Sequence, residues 1–303
     1  MGKWTKRLLI PLAILLVIAG GAYWWLMIQS GTSSQVYALD MGEVRKLAES
    51  IPGATVTEIR VENPERADAP AAMVVAGDGW SSIPMSFFSY QLVFPDHTLI
   101  IDTTFSKATA LKNKQPFDVA SYDRLVKGMN AASLIVITHE HVDHLGGLVS
   151  QPNLKQLLAH TKLNAEQVAN AVKDTPETPV HAFDGYKPTT YAKYLAIAPG
   201  VVLIRAAGHT PGSQMVYVKR ADGQEFLLLG DVAWHMRNID LNRERARIVS
   251  WLFLNEDRDA VLAELDTLHK LKAAEPNLHM IPGHDPAPVA DLEKQGLLKA
   301  SFQ

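Results

Sequence analysis

The sequence has 303 residues, of which 47% are hydrophobic and none is cysteine, and its formal net charge is −3 at pH 7. Without cysteine, the protein can form neither a disulfide framework nor a cysteine-linked lipid anchor. The nearly balanced charge argues against the strongly basic surface that nucleic-acid-binding proteins use, so no nucleic-acid partner is expected.

The N-terminal segment is typical of a membrane-spanning helix. Basic residues among the first seven precede an uncharged, mostly apolar run from 8 to 28. Such a run is long enough to cross the roughly 30 Å hydrocarbon core of a bilayer. Because positive charge lies only on its N-terminal side, everything after Gln29 is predicted to be extracytoplasmic, and periplasmic in a Gram-negative cell. Two alternatives are a cleaved signal peptide, with Gly20 and Ala22 as the small residues before a possible cut, giving a secreted protein, and a buried helix of a soluble protein.

Regular elements follow the apolar run. Residues 1–28 are predicted to be the anchor or signal sequence, 29–54 a linker with a helix beginning at Asp40, and 55–303 the main domain. Alternating and β-rich stretches predict an antiparallel meander early in that domain. Its strands are predicted at 55–61, 85–94 and 97–105. Further predicted elements are a strand at 201–206, a hairpin with Asp222-Gly223 at its turn, and helices beginning at 164 and spanning 260–273.

A histidine-rich stretch follows the apolar run 134–137, which predicts a strand that leads into a loop and then a helix. On a regular strand His139, His141 and Asp143 would share one face, and His144 would point to the other. Only a curved loop lets all four side chains converge. Histidine nitrogens together with a carboxylate oxygen suit a divalent cation such as zinc, so the stretch predicts a metal site.

The spacing H-x-H-x-D-H of this stretch resembles the signature of the metallo-β-lactamase superfamily. Other segments extend the resemblance over roughly residues 85–290. They are Ile100 to Thr103, Gly208 to Gly212, Gly230-Asp231 and Pro282 to Asp285. The resemblance implies an α/β (α+β) fold, a four-layer αβ/βα sandwich that follows the N-terminal membrane-spanning helix, with 55–303 as the catalytic domain.

The resemblance also implies a dinuclear metal site with two divalent ions, expected to be Zn²⁺. His139, His141 and His209 would bind one metal, Asp143, His144 and His284 the other, and Asp231 would bridge them. The later three ligands each follow a predicted strand. Since the ligands come from both halves of the chain, one domain is predicted, although length alone would favour two.

Other site residues are predicted around these ligands. Asp102 is expected to orient a ligand histidine, and Thr210 to support a neighbouring ligand in the same way. Asp143 is expected to carry a proton during catalysis, and His235 is a further candidate proton donor, with an ordinary packed histidine as the alternative. Trp234 occupies the position at which the related lactonases have a tyrosine that holds the substrate carbonyl, so it is predicted to line the substrate pocket.

The predicted function is metal-dependent hydrolysis. The sequence is most similar to N-acyl-homoserine lactonase-like and glyoxalase II-like metallohydrolases, which implies that a hydroxide bridging two metals attacks an ester, lactone or thioester. True β-lactamases of this fold lack the bridging aspartate, so Asp231 argues against antibiotic hydrolysis. The alternatives are an iron-dependent oxidoreductase of the same fold and a non-catalytic, membrane-tethered metal-binding protein.

Four arginines and six aromatic residues form two further groups, each with a structural interpretation and a substrate-binding alternative. The arginines are expected to form a solvated helix face, with binding of an anionic substrate as the alternative. Most of the aromatic residues are expected to pack in the core, with a pocket for an acyl group as the alternative. The groups are Arg237, Arg243, Arg245 and Arg247, and Trp80, Phe87, Phe88, Trp234, Trp251 and Phe253.

Overall fold

The structure, a computed structural model, describes residues 3–303, with side chains from residue 9 onward. The basic side chains that determine the predicted membrane orientation therefore lie outside the described part. Two β-sheets pack face to face, and helices cover both outer surfaces. This arrangement corresponds to the four layers expected from the sequence.

The first sheet provides the edge from which the histidine-rich loop emerges. Its strands are β1 (Glu58–Pro70), β2 (Ser82–Val93), β3 (Thr98–Ile101), β4 (Leu134–Val136), β5 (Thr161–Lys162) and β11 (Lys299–Ala300), in the order β11-β1-β2-β3-β4-β5. Strands β1 to β3 form the predicted antiparallel meander. Because β3 and β4 are parallel, Asp102 and the loop that begins at Thr138 leave the sheet at the same edge.

The second sheet brings three more loops to one edge. Its strands are β6 (Tyr194–Ala198), β7 (Val201–Arg205), β8 (Gln214–Lys219), β9 (Glu225–Leu228) and β10 (Leu278–Ile281), in the order β10-β9-β8-β7-β6. Strands β8 and β9 form the predicted hairpin, and Gly223 supplies the positive φ of 86° at its turn. The segments that follow β7, β9 and β10 lie at the same edge, because β7 and β9 are both antiparallel to β8 and β10 is parallel to β9.

Helices form the outer layers, and most begin at a residue whose side chain caps the first turn. The helices are α1 (Lys3–Tyr23), α2 (Met41–Ala48), α3 (Ala71–Val74), α4 (Lys107–Asn113), α5 (Val119–Ala131), α6 (Val142–Val149), α7 (Leu154–Leu158), α8 (Ala165–Asp174), α9 (Met236–Asp240), α10 (Arg247–Val249), α11 (Arg258–Ala274) and α12 (Pro286–Lys294). Asp40 caps α2 through the Glu43 N–H, and Asn164 and Gln167 form a reciprocal cap on α8.

Alternation along the central strands explains why they are apolar on both sides. In β7, Val201 and Leu203 face the other sheet, whereas Val202 and Ile204 face outward and pack with the cluster that includes α2 and α11. A strand covered on both faces must be apolar at every position, so it appears in the sequence as a continuous hydrophobic run. Helix α2, expected to lie in a linker, belongs to this outer layer.

The N-terminal apolar helix stands apart from the layers. Residues Leu9–Ile28 form a candidate membrane span with a mean hydropathy of 2.0, and every side chain from Leu9 to Trp25 is exposed. A core helix of a soluble protein would bury such side chains, so this exposure does not fit that alternative. After α1, a π-helical turn at Trp24–Ile28 brings Met27 into a buried contact with the domain.

Candidate metal centre

All seven predicted ligands lie together where the loops of the two sheets meet. Two groups of side chains place their ligand atoms within 4.8 Å of one another. The first group is His139, His141, His209 and Asp231, and the second is Asp143, His144, Asp231 and His284. Asp231 is common to both, as expected for a bridging carboxylate.

In the first group three imidazole nitrogens face a common point. His141 Nδ1 lies 3.1 Å from His139 Nε2 and 3.0 Å from His209 Nε2. Asp231 Oδ2 lies 3.7 Å from His139 Nε2 and 3.4 Å from His209 Nε2. A tetrahedral zinc with bonds of about 2.0–2.1 Å separates its ligands by about 3.3 Å, so this group has the size of a zinc site.

The second group has similar spacings and uses the other oxygen of Asp231. That atom, Oδ1, lies 3.3 Å from His144 Nε2 and 3.2 Å from His284 Nε2. Asp143 Oδ2 completes the group at 3.6 Å from His144 Nε2 and 3.4 Å from His284 Nε2. Within the described residues, His144 Nε2 and Asp231 Oδ1 are buried without a hydrogen-bond partner. Two buried polar atoms without a hydrogen-bond partner, aimed at one point, fit a cation-binding site.

The electrostatics of the two groups differ. Burial lowers the pKa of His139 well below its ordinary value and that of His141 to about 3, so both rings are neutral, the form that binds metal. Burial also opposes protonation of His144, but Asp143 and Asp102 outweigh it and raise the pKa well above its ordinary value.

Known structures with the same architecture identify the fold. A quorum-quenching N-acyl-homoserine lactone lactonase is 17% identical and superposes with a TM-score of 0.62 over 83% of this chain and 100% of its own. AidC, a dizinc quorum-quenching lactonase, is 14% identical with a TM-score of 0.57 over 77% and 90% of the two chains. AbOPH, a hydrolase in the β-lactamase superfamily, is 12% identical with a TM-score of 0.55 over 78% and 92%.

The chain has the metallo-β-lactamase fold. The fold class predicted from the sequence is therefore confirmed. No protein-family model matches the sequence, and no curated protein matches it either.

In this metallo-β-lactamase fold, the second nitrogen of three deeply buried ligand rings is also held. Asp102 Oδ2 lies 2.9 Å from His144 Nδ1, Glu256 Oε1 lies 2.6 Å from His209 Nδ1, and the Ser86 carbonyl lies 3.0 Å from His284 Nδ1. These contacts fix which nitrogen is left to face the metal. The structure therefore places Asp102 where the sequence predicted a ligand-orienting carboxylate.

Asp102 reaches this position through an unusual backbone conformation. Its φ is 60°, in the left-handed region that non-glycine residues rarely adopt. The turn directs its carboxylate to the Thr138 N–H at 2.6 Å and to the Thr138 hydroxyl at 2.8 Å, next to His144. Backbone strain of this kind is often found where a functional side chain must be positioned.

A buried carboxylate that the sequence did not single out joins two ligand loops. Glu140 accepts hydrogen bonds from the Thr210 hydroxyl at 2.8 Å and from the Gly212 N–H at 3.1 Å. Thr210 thus supports the loop through Glu140, and among the described contacts it does not touch a ligand ring. The position of Glu140 between His139 and His141 was the only available signal.

A buried ion pair behind His209 was also missed. Arg245 forms a salt bridge with Glu256, and its Nη1 donates to the Asp231 carbonyl at 3.0 Å. Burial raises the pKa of Glu256, but Arg245 and His209 outweigh it and lower the value to about 2. Arg245 is 1% exposed, so the prediction that it lies on a solvated helix face was wrong.

Trp234 contacts the bridging carboxylate directly. Its indole Nε1 donates to Asp231 Oδ2 at 2.7 Å, and the Arg245 guanidinium lies 4.8 Å from its ring centre. The side chain therefore forms a wall of the metal centre. Its predicted contact with a substrate carbonyl remains a prediction.

His235 is not brought among the ligands. Its Nδ1 lies 3.0 Å from Asp285 Oδ2 and accepts the Arg237 N–H at 3.2 Å, so the ring caps α9. Burial lowers the pKa of His235. Its contacts are those of the packed histidine that was the alternative interpretation, and its role as a proton donor remains a prediction.

Proposed function

We propose that the protein is a metal-dependent hydrolase that uses two Zn²⁺ ions to cleave an ester, lactone or thioester bond. The observation that carries the proposal is the pair of ligand groups that share Asp231, one carboxylate oxygen in each group. Two complete groups favour a dinuclear site over the mononuclear iron oxidoreductase alternative. The names of the structural neighbours, which include a dizinc lactonase, support the same choice of chemistry.

In the proposed mechanism, the acidic residues Asp143 and Asp231 have different roles. When bound, two zinc ions would activate a water molecule and polarise the substrate carbonyl. The side chain of Asp143 is 16% exposed, whereas that of Asp231 is 2% exposed. Asp143 is thus the acidic ligand on the solvent side, where it can accept a proton from the attacking water and return it to the leaving group. Asp231 stays buried and links the two groups.

Metal removal is the direct test. The full-length protein in detergent is expected to contain two zinc ions per chain and to hydrolyse an acyl-homoserine lactone, a nitrophenyl ester or an acyl thioester. Dialysis against a chelator should abolish turnover, and Zn²⁺ should restore it, because the ligands would remain preorganised by Asp102, Glu256 and Ser86. Metal analysis and steady-state rates provide the measurement.

The result also separates the alternatives. One iron per chain would favour the oxidoreductase, bound metal without any turnover would favour the non-catalytic metal-binding protein, and no bound metal would contradict the proposal. Two zinc ions without turnover of any of the three substrates would contradict the proposed bond classes.

A second test concerns Trp234. Trp234→Phe keeps an aromatic ring but removes the N–H that binds Asp231. A hydrogen bond to a charged group contributes about 1.5–3 kcal/mol, so lactone and ester turnover are expected to fall together by about 10- to 100-fold. A changed ratio between the two rates would instead indicate that position 234 contacts the reacting carbonyl.

We also propose that the N-terminal segment is a retained membrane anchor with the catalytic domain outside the cytoplasm. The apolar span Leu9–Ile28 continues past Gly20 and Ala22, the small residues of the signal-peptide alternative, and its last turn packs on the domain through Met27. Protease added to intact spheroplasts of a Gram-negative host should digest the domain and spare a cytoplasmic marker. Protection of the domain until the cells are lysed would rule out this orientation.

A further inference from the structure

An exposed apolar surface lies beside the end of the N-terminal helix. We call it the aromatic face, and it consists of Trp24, Trp25, Trp80, Trp251, Leu252 and Phe253. Three of these residues, Trp251, Leu252 and Phe253, are consecutive in a π-helical turn of the main domain and are 62%, 65% and 71% exposed. Large contiguous apolar surfaces of this kind mark interaction sites. The expectation that Trp80, Trp251 and Phe253 pack in the core was therefore wrong.

Direct contacts join this surface to the apolar helix. The rings of Trp25 and Trp251 pack edge to face with their centres 5.9 Å apart. The indole of Trp80 donates to the Tyr23 hydroxyl at 2.9 Å. Residues far apart in the sequence thus extend the surface sideways from the last turns of the candidate span.

The connection between helix and domain is fixed by several contacts. The Gly77 N–H donates to the Met27 carbonyl at 2.8 Å, and Arg247 donates to the Gln29 side chain at 2.7 Å. The Ser30 hydroxyl donates to Glu244 at 2.6 Å. Because these contacts hold the segment after the helix against the domain, the position of the helix in a membrane determines which surroundings the aromatic face contacts.

The composition of the aromatic face suits the headgroup region of a lipid bilayer. Tryptophan side chains are enriched at the boundary between lipid headgroups and acyl chains, and leucine and phenylalanine insert below them. Arg247 lies over the Trp25 ring at 4.5 Å, where a cation can reach anionic headgroups. A second protein copy would also cover apolar side chains, but it would not explain why the surface begins where the candidate span ends.

We propose that the aromatic face of the main domain is inserted into the headgroup region of the bilayer, as a second membrane contact besides the anchor. This contact brings the metal centre close to the lipid. Trp234, which binds Asp231, packs in the same cluster as Met27 and Leu254. A cavity of about 290 Å³ lined by Trp25 and Trp251 also reaches Glu256, which holds His209. The inference rests on the proposed anchor and is independent of hydrolysis.

The absence of native cysteine allows single labels at chosen positions of the full-length chain. Leu252→Cys and Phe253→Cys would each carry a nitrobenzoxadiazole label in vesicles of phosphatidylcholine and phosphatidylglycerol. Val180→Cys is a matched control, because Val180 is an exposed apolar residue outside the aromatic face. Leu16→Cys, within the candidate span, reports on the anchor itself. Quenching is measured with nitroxide-labelled lipids and with aqueous iodide.

We expect labels at 252 and 253 to be quenched by nitroxide lipids and to be at least about threefold less sensitive to iodide than the label at 180. Iodide sensitivity equal to that at 180 would overturn the inference. Shielding from iodide without lipid quenching would also overturn it, because a second protein copy would then cover the face. If the label at 16 is not quenched by the nitroxide lipids, the proposed membrane anchor, on which this inference rests, is wrong.

Discussion

Asp231→Ala is expected to lower the metal content from two ions per chain to at most one and to reduce hydrolysis by on the order of 10³-fold or more. Both ligand groups lose a member at once, because Asp231 places Oδ2 in the first and Oδ1 in the second. Metal analysis and steady-state rates on the purified full-length protein provide the measurement.

Asp222→Asn is a suitable control for this variant. Asp222 lies in the turn that precedes the strand leading to Asp231, and its side chain is 46% exposed. It should keep both metals and a normal rate. If Asp231→Ala retained two metal ions and near-normal turnover, Asp231 could not be the bridge.

The second large effect is expected from the buried pair of Arg245 and Glu256. Arg245→Met leaves the Glu256 carboxylate buried without its main cation, and breaking such a pair costs about 3–5 kcal/mol of unfolding free energy. Without Arg245, the Glu256 carboxylate is no longer fixed beside His209 Nδ1, so the ring is positioned less well. Affinity for the first metal should therefore fall by about 10- to 100-fold. Chemical denaturation and metal titration measure the two effects separately.

A double variant separates the contribution to stability from the contribution to positioning. Arg245→Met with Glu256→Gln removes both charges and should recover much of the stability lost in Arg245→Met alone, while metal affinity remains low because the ring of His209 has lost its carboxylate. Arg243→Met, which removes a nearby arginine whose guanidinium donates to the Ala76 carbonyl, should affect metal affinity little. Normal metal affinity in the double variant would show that the pair is purely structural.

The features that a single sequence can predict are those that depend on local chemistry. His139 and His141 stand in a dense motif, and each later ligand follows an apolar strand, so their convergence requires only that the strand ends meet. The hairpin at Asp222-Gly223 and the cap at Asn164 are likewise local. These features depend on a few adjacent residues, which is the information that a single sequence contains.

What could not be predicted depends on contacts between distant segments. Glu256 and Arg245 lie in a stretch rich in charged residues that looks solvated, and only the packed fold shows that both are buried beside His209. The exposure of Trp251 and Phe253 was not predicted either, because aromatic residues in strand-like surroundings are usually buried. Their exposure follows from the position of the N-terminal helix, which no local pattern specifies.

Because the ligands are divided between the two sheets, tight metal binding requires the folded domain. Each group takes two members from the segment after β4, which is the loop for the first group and the start of α6 for the second, and two from the loops after β7, β9 and β10. Neither half of the chain holds a complete group, so high-affinity loading can follow only after the halves have docked. If the domain crosses the membrane unfolded, it acquires its metal after translocation, and the supply outside the cytoplasm determines which ion it carries.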